Sequence, residues 1–288
     1  MNATSVDEEF NPSVHVYEPH KAGLPPLRPY FRALWERRVF AAEMSRTGIR
    51  AANTNTFFGQ IWLVINPLLL AAVYYLLTQI IAGGSTRQGA AATFAHLCGG
   101  LFVFYYFQGA VSTGAGSVVG GGKLLMNMAF PRMLLPLSAL RTAFFRFLPT
   151  MFVYAVIHVV VGGPFGFVML LAPVFLFLLT MFAAGMSMIF AALQVYFRDT
   201  ASFLPYFMRI WLYLSPVLWF AEVAPEKFKP FLPFNPLTSL IGGWTDLLVR
   251  AKMPPLEMWI GGVIWAVAAL AIGSLFFMSR EREFAVRL

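Results

Sequence analysis

Six long apolar stretches separated by short loops constrain the fold of this chain more than any other feature of its sequence. They run at about 62–81, 94–117, 143–161, 167–197, 204–220 and 258–278. Because a helix rises 1.5 Å per residue, about 20 residues cross a hydrocarbon core of ~30 Å, and most of the stretches are that long. With 59% hydrophobic and 12% charged residues, the chain has too little polar surface for a water-soluble globule. The sequence therefore predicts an all-α membrane protein with six transmembrane helices.

The positions of Lys and Arg predict which side of the membrane each loop occupies, since short cytoplasmic loops carry an excess of these residues. With the N-terminus inside, five of the chain's 21 Lys and Arg residues lie outside: Arg87, Lys227, Lys229, Arg250 and Lys252. The other 16 then lie inside, so both termini are expected in the cytoplasm, with the chain in a bacterial inner (plasma) membrane. Anchoring to anionic lipid explains the net charge of +8 without nucleic acid.

The residues that precede the first apolar stretch divide into two parts. Residues 1–27 contain Asp7, Glu8 and Glu9 and few apolar residues, so we expect a flexible cytoplasmic tail. Residues 28–56 form an amphipathic interface region, with an apolar stripe that includes Phe31 and Trp35 opposite a basic one. Such a helix lies flat at the inner membrane surface, or packs on the cytoplasmic ends of the bundle, or does both. Residues 57–288 then form the transmembrane domain.

A seventh apolar element, between the fifth and sixth stretches, is too short to cross a bilayer. Asn235 is a favoured N-cap residue and Pro236 suits the first helical position. Apolar residues, Trp244 among them, follow at helical spacing over about 14 residues, which cannot span. We predict a re-entrant helix pair over about 225–250 that dips in from the outer face, with Asn235, Pro236 and Trp244 as its gate. Backbone at that depth must be buried in protein or line a wet cavity.

Prolines and glycines interrupt several of the apolar stretches. Pro67 and Pro216 each remove a helical hydrogen bond, so bends are expected in the first and fifth helices. The run GAGSVVGGGK at 114–123 resembles a phosphate-binding loop, but it has Ser at 117 and Leu at 124 and follows no strand. We interpret its glycines as a flexible inner turn. If ATP is used, a separate subunit binds it.

The apolar stretches lack the residues that intramembrane catalysis needs. They contain no Asp or Glu, and His96 and His158 occur singly, which is more typical of structural histidines. We therefore expect no enzyme active site, metal site, cofactor or proton relay in this chain. A membrane-embedded glycosyltransferase or lipid-phosphate enzyme is the alternative from another class, but it would need carboxylates to hold a metal or to activate a nucleophile.

Several short motifs occur in an order that resembles one family. They are Gly59-x-x-Trp62-x-x-x-Asn66-Pro67-Leu68, Phe130-Pro131-Arg132, Leu135-Pro136-Leu137, Tyr196-Phe197-Arg198-Asp199, Leu214-Ser215-Pro216-Val217 and Asn235-Pro236-Leu237-Thr238. Over about 28–288 they resemble the ABC-2 type permeases of polysaccharide exporters, such as those for O-antigen, teichoic acid and capsule. Two departures are Phe197, which spreads the family's Tyr-Arg-Asp pattern, and Ala51-Ala52-Asn53, where the family often has Arg-Tyr. The tail motif Val16-Tyr17-Glu18-Pro19 is most similar to mycobacterial galactan exporters.

The resemblance implies a transport subunit without its own ATPase site. A homodimer of this chain would bind two copies of a separate ABC ATPase subunit, which holds ATP and Mg. A lipid-linked polysaccharide, galactan or an O-antigen-like glycan, would pass from the cytoplasmic to the outer side through a channel at the homodimer interface. The alternative is an ABC-2 permease for drug or lipid efflux.

Candidate site residues fall into two groups. Sugar C–H faces stack on aromatic rings, and the candidates for glycan contact in the first two spans are Tyr74, Tyr75, Phe102, Phe104, Tyr105, Tyr106 and Phe107. Ordinary helix packing or an interfacial belt is the alternative for each ring. Arg209 either meets an anionic phosphate in a polar cavity or snorkels to the inner headgroups. The candidates for coupling to the ATPase are Lys123, Asn127, Arg132, Arg198 and Asp199, although Arg198 and Asp199 can equally form a local ion pair.

Overall fold

The computed structural model describes residues 24–51, 57–81, 90–122, 130–221, 225–227 and 229–287. Within these ranges the chain is helical and contains no strand. The helices are α1 (Leu27–Glu36), α2 (Arg38–Ala51), α3 (Trp62–Ile81), α4 (Ala90–Gly120), α5 (Leu134–Val160), α6 (Ala172–Tyr196), α7 (Thr200–Leu214), α8 (Pro236–Leu248), α9 (Leu256–Arg280) and α10 (Phe284–Arg287). Short 3₁₀ segments lie at Gly59–Ile61, Phe167–Leu171, Lys229–Phe234 and Glu281–Glu283.

Four of the described helical segments are long and apolar enough to cross a membrane. They are Thr93–Gly120, Leu134–Val160, Phe167–Tyr196 and Leu256–Glu283, and they correspond to the second, third, fourth and sixth predicted stretches. The prediction of an all-α, multi-pass membrane protein is therefore confirmed for this part of the chain. The first predicted stretch coincides with α3, which has 20 residues.

The fifth predicted stretch, 204–220, is not a single helix. Helix α7 begins earlier, at Thr200, and has only 15 residues, because it ends at Leu214. The backbone of Ser215 is extended, with φ −103° and ψ 147°. This is the conformation that a following proline favours, and Pro216 itself has no N–H to continue the helical ladder. The expected bend is thus a complete stop.

The amphipathic region forms two helices that pack on the bundle. A break at Arg37 separates α1 from α2. Arg141 on α5 donates from Nη1 to the carbonyl oxygen of Ala42 at 2.9 Å, and Thr142 Oγ1 donates to Ser45 Oγ at 3.1 Å. These bonds hold α2 along the first half of α5, which is the packing alternative for this region. Phe31 and Trp35 on α1 remain exposed, as a membrane-surface helix requires.

Close contacts between backbones hold the long helices together. At the crossing of α6 and α9, a Cβ atom on either Gly185 or Gly273 would collide with the backbone of the other helix. Gly114 on α4 likewise leaves no room for a Cβ against Ser187 on α6. Small residues let membrane helices approach this closely, which gains van der Waals contact where no hydrophobic driving force separates helix from lipid. The interpretation of 114–120 as a flexible turn is therefore wrong, because these residues form the last turns of α4.

Helix α8 is enclosed by other helices. Every residue from Leu237 to Thr245 is buried, and the indole Nε1 of Trp244 donates to the Gly99 carbonyl on α4 at 3.1 Å. Phe175 on α6 covers Gly243, where a side chain would not fit. Burial of this kind is what a 13-residue, non-spanning helix needs at membrane depth.

The predicted turn between the third and fourth stretches is present. Gly162 adopts φ +72°, which glycine reaches without strain, and the chain leaves α5 there. His158 closes the turn, since its Nε2 lies 3.1 Å from the Pro164 carbonyl and its Nδ1 lies 3.4 Å from the hydroxyl of Tyr154. His158 therefore has a structural role in this fold.

Candidate functional site

At the end of the bundle where α7 stops, Asn235 joins α7 to α8. Its Oδ1 accepts hydrogen bonds from the backbone N–H of Leu237 at 3.1 Å and from Trp211 Nε1 at 2.9 Å. Its Nδ2 donates to the carbonyl of Leu214 at 3.2 Å and to Ser215 Oγ at 3.0 Å. Four bonds use the full capacity of one amide. The N-cap predicted from Asn235 and Pro236 is confirmed, and the side chain also satisfies the broken end of α7.

An aromatic cavity of about 870 Å³ is not found here; the cavity beside Asn235 measures about 730 Å³. Its walls hold five aromatic rings: Trp211, Tyr213, Trp219, Phe231 and Phe234. Tyr213, Phe231 and Phe234 are exposed, and Trp219 Nε1 donates to the Tyr213 carbonyl at 3.2 Å. Sequence reasoning did not name these rings, although their density over 211–234 was visible. Flat aromatic faces at a pocket this wide suit stacking against sugar rings.

One face of α7 carries exposed aromatic side chains. Phe203, Tyr206, Ile210 and Tyr213 follow one another at three- and four-residue spacing and are each more than half exposed. Arg209 lies between Tyr206 and Tyr213 on the same side and is also exposed. The opposite face packs into the bundle through Leu204, Met208 and Leu212. The spacing of Tyr206, Arg209 and Tyr213 was the signal that could have identified this face.

The aromatic run on α4 divides between the core and one half-buried position. Phe102, Phe104 and Phe107 are fully buried, and Phe107 packs against Phe182 with ring centroids 5.6 Å apart. Tyr106 is buried as well, with its hydroxyl 2.8 Å from Thr180 Oγ1. Consecutive helical residues point about 100° apart, so five rings in a row cannot share one face. Of the run, Tyr105 remains partly accessible.

The two tyrosines predicted on the first span lie on α3. Tyr75 is half-buried and its ring packs edge-on against Phe94 of α4, with centroids 5.4 Å apart. The side chain of Tyr74 lies outside the described residues. Helix α3 therefore offers one described ring, at its contact with α4.

A smaller cavity of about 220 Å³ lies between α3, α4 and α5. Tyr105, Thr113, Thr142 and Arg146 give it polar walls. Arg146 was expected in a loop, but α5 begins at Leu134, which places Arg146 twelve residues, about 18 Å, along the helix. A cation at that position is costly in lipid unless it faces a polar cavity, as it does here.

At the opposite end of the bundle, Tyr30, Glu281 and Arg132 meet. The hydroxyl of Tyr30 on α1 donates to Glu281 Oε2 at 2.6 Å, and Glu281 is buried. Burial, and then the Glu281 carboxylate, raises the pKa of Tyr30. Burial lowers the pKa of the Arg132 guanidinium, and Glu281 and Tyr30 partly oppose this effect. The three side chains connect α1, the segment before α5 and the end of α9.

The motif Tyr196-Phe197-Arg198-Asp199 lies at the same end. Tyr196 donates from its hydroxyl to Glu283 Oε2 at 2.6 Å, and the Arg287 guanidinium lies 4.4 Å from the centre of the Tyr196 ring. Arg198 and Asp199 are exposed just before α7. Lys123 and Asn127 lie outside the described residues. This end therefore presents Arg198 and Asp199 on its surface and holds Arg132 partly inside.

No group of three or more His, Cys, Asp and Glu side chains is placed to hold a metal ion within the part of the chain that the structure describes. The polar groups of the site are instead amides, hydroxyls, indoles and arginines. They can bind and orient a ligand by hydrogen bonds and stacking.

Comparison with known proteins gives a family for this arrangement. Residues 41–249 match the ABC-2 type transporter family. The chain belongs to this family. The matched region of the ABC-2 protein runs from α2 into the residue that follows α8, so it includes the Asn235 junction, the exposed face of α7 and the α3–α5 cavity.

Three relatives carry a more specific description. Two O-antigen export system permease proteins RfbA of Klebsiella pneumoniae are each 28% identical to this ABC-2 protein over 222 residues, which cover 76% of this chain and 84% of each relative. The O-antigen export system permease protein RfbA of Myxococcus xanthus is 25% identical over 256 residues, which cover 88% of this chain and 97% of that protein.

Proposed function

We propose that this chain is the membrane-spanning permease subunit of an ATP-driven ABC exporter for a lipid-linked polysaccharide. The observation that carries the proposal is the similarity to O-antigen export permeases along 76% to 88% of the chain. The proposed substrate is a galactan or an O-antigen-like glycan, moved from the cytoplasmic to the outer side of the bacterial inner membrane. The chain itself is a transport subunit and not an enzyme.

The proposed assembly is a homodimer with two copies of an ABC ATPase subunit, which binds ATP and Mg. Six membrane helices, with α3 and the α7 region as the first and fifth, place both termini in the cytoplasm. The 3₁₀ segment Lys229–Phe234 and helix α8 form the proposed re-entrant pair, which enters from the outer side. The buried surroundings of α8 support this arrangement, since backbone at membrane depth must be enclosed.

The proposed glycan path follows the exposed face of α7. Tyr206 and Tyr213 offer flat rings there, and Arg209 between them offers a cation for an anionic phosphate. The aromatic cavity beside Asn235 extends this path toward the outer side. Stacking on exposed rings holds a sugar chain weakly enough for it to slide. Because two copies of α7 facing each other would enclose such a path, the exposed face supports a channel at the homodimer interface.

The proposed contacts with the ATPase lie at the other end of the bundle. Arg198 and Asp199 are exposed there, and Lys123 and Asn127 are kept as candidates from the sequence. Arg132 acts in this proposal through its neighbours, since it links α1 and Glu281 to the segment before α5. Asn235, Pro236 and Trp244 form the proposed gate at the outer end.

Depletion of this protein in its host tests the proposal. Lipid-linked glycans of the inner leaflet would then be labelled and sized. Accumulation of one long polymer supports export and identifies the sugar. No change in any glycan, together with increased retention of a drug or a free lipid, would overturn the polysaccharide assignment in favour of an efflux permease.

A further inference from the structure

A groove of about 870 Å³ separates helices α1 and α2 from the ends of α5, α6 and α9. Leu137 of α5, Met188 of α6 and Leu270 of α9 form its apolar floor. Phe31 and Trp35 of α1 form one lip, and both are more than half exposed. The groove is therefore apolar inside and open along an apolar edge.

The floor of the groove extends into the membrane part of the bundle. Met188 lies eight residues, about 12 Å, from the end of α6 at Tyr196. Leu270 lies ten residues, about 15 Å, from the end of α9 at Arg280. An occupant that reaches both residues must be apolar over that depth, because the surrounding solvent there is hydrocarbon. A water-soluble protein segment does not satisfy this condition.

The rim of the groove is cationic. Arg38, Arg46 and Arg141 line it, and Glu43 is the one carboxylate among its lining residues. Arg46 pairs with Glu43, Arg38 donates to the Trp35 carbonyl at 3.0 Å, and Arg141 donates to the Ala42 carbonyl at 2.9 Å. A guanidinium has five N–H donors, so each of these side chains retains donors for a ligand. The rim carries a net charge of about +2 above an apolar slot, which complements a phosphate attached to an acyl chain.

We propose that this groove binds one anionic phospholipid of the surrounding leaflet. An acyl chain fills the slot between α1 and the floor at Met188 and Leu270. The phosphate lies at Arg38, Arg46 and Arg141. The lipid wedges α1 and α2 against the bundle, so the interface region is a lipid-dependent part of the fold. This inference goes beyond the proposed transport function and requires only that the chain lies in a membrane.

Lipid retention by the purified full-length chain tests the proposal. The protein would be reconstituted in vesicles of phosphatidylglycerol and phosphatidylcholine and extracted in mild detergent. Native mass spectrometry would then count the lipids bound to each chain. The wild type is expected to keep one phosphatidylglycerol in preference to phosphatidylcholine. Arg38→Gln with Arg46→Gln is expected to weaken that binding by roughly thirtyfold, at about fivefold for each arginine near a membrane surface.

Arg32→Gln is the matched control. Arg32 lies on α1 like the rim residues, but it pairs with Glu36 on an exposed face and does not line the groove. Its loss removes the same charge and is expected to leave retention unchanged. A second variant, Leu137→Trp, fills the slot without changing charge and is expected to lower retention as well.

Three results would overturn the proposal: equal retention by the double variant and the wild type, equal retention of phosphatidylcholine, or displacement of phosphatidylglycerol by equimolar polyprenyl phosphate. The readout is lipid binding and not export. A failed lipid test therefore leaves the transport function standing, and a failed transport test leaves the lipid site standing.

Discussion

The indole Nε1 of Trp211 donates a 2.9 Å hydrogen bond to Asn235 Oδ1, which ties the last turn of α7 to the first turn of α8. The Trp211 ring also packs against Phe107 of α4 and Phe182 of α6, with centroids 5.6 Å and 6.0 Å away. One side chain thus connects the buried core, the exposed helix α7 and the start of α8. A movement of α7 in a transport cycle would therefore be passed to α8 through this bond.

Replacement of Asn235 is expected to destabilise this junction strongly. Asn235→Ala removes an N-cap, at about 1 kcal/mol, and leaves the Trp211 N–H and the Leu214 carbonyl without a partner, at about 1–3 kcal/mol for each buried group. Trp211→Phe keeps the cap and most of the packing, so its effect should be smaller. Thermal unfolding of both variants in detergent measures this order. Equal unfolding midpoints for the two variants would contradict it.

The crossing of α6 and α9 is expected to reject a single added methyl group. Gly273→Ala places a Cβ against the backbone of Gly185, which cannot rotate away, so we expect a loss of about 1–3 kcal/mol. Gly109→Ala on α4 is the control, since no atom lies within 4 Å of its added Cβ. It is expected to be neutral or slightly stabilising.

The buried thiol of Cys98 provides the measurement for these glycine variants. It is the chain's single cysteine and is fully buried on α4, so a maleimide dye reports unfolding without an introduced label. Faster labelling of Cys98 on heating is expected for Gly273→Ala than for the wild type. If Gly109→Ala labels as fast as Gly273→Ala, close packing at the α6–α9 crossing is not the cause.

Loss of the exposed rings on α7 is expected to impair export without harming the fold. Tyr206→Ala with Tyr213→Ala removes two stacking faces, each worth about 1 kcal/mol to a bound sugar, so the initial rate of glycan export should fall by roughly tenfold or more. Phe177→Ala on α6 is the control, since Phe177 is similarly exposed but lies away from α7. Unfolding midpoints should stay close to that of the wild type in both cases. Equal export by both variants would exclude this face from the glycan path.

Charge reversal is expected to separate the two kinds of arginine at the proposed cytoplasmic end. Arg198→Glu changes an exposed side chain, so it should reduce export for each ATP hydrolysed while the unfolding midpoint is kept. Arg132→Glu instead places a second carboxylate near buried Glu281 and should lower stability and export together. Thermal unfolding and coupled ATPase assays on the same preparations test both. A stable Arg132→Glu protein would show that Glu281 does not depend on this charge.

Features that depend on local chemistry could be predicted from the sequence. The start of α8 follows from Asn235 and Pro236, because an N-cap needs only its neighbouring residues. The bounds of α3 and the apolar centres of four spans follow from a run length that the bilayer thickness dictates. The turn at Gly162 follows from the backbone freedom of glycine.

Features that depend on contacts between distant residues could not be predicted in this way. Arg141 and Arg146 are typical of a loop, yet both lie within α5, because one donates to Ala42 on α2 and the other faces a cavity between three helices. Gly114 is typical of a flexible turn until Ser187 is placed against it. The α4 rings share a short segment, but only the packed bundle distinguishes Tyr105 from Phe104.

Reconstituted transport tests the central claim most directly. The permease and its ATPase subunit would be placed in vesicles with a lipid-linked glycan supplied on the ATPase side, and a lectin would detect glycan that reaches the other side. The account predicts lectin-accessible glycan that requires ATP and Mg and that decreases in the Tyr206→Ala, Tyr213→Ala variant. ATP hydrolysis without any glycan transfer, together with transfer of a fluorescent drug or free lipid, would contradict it.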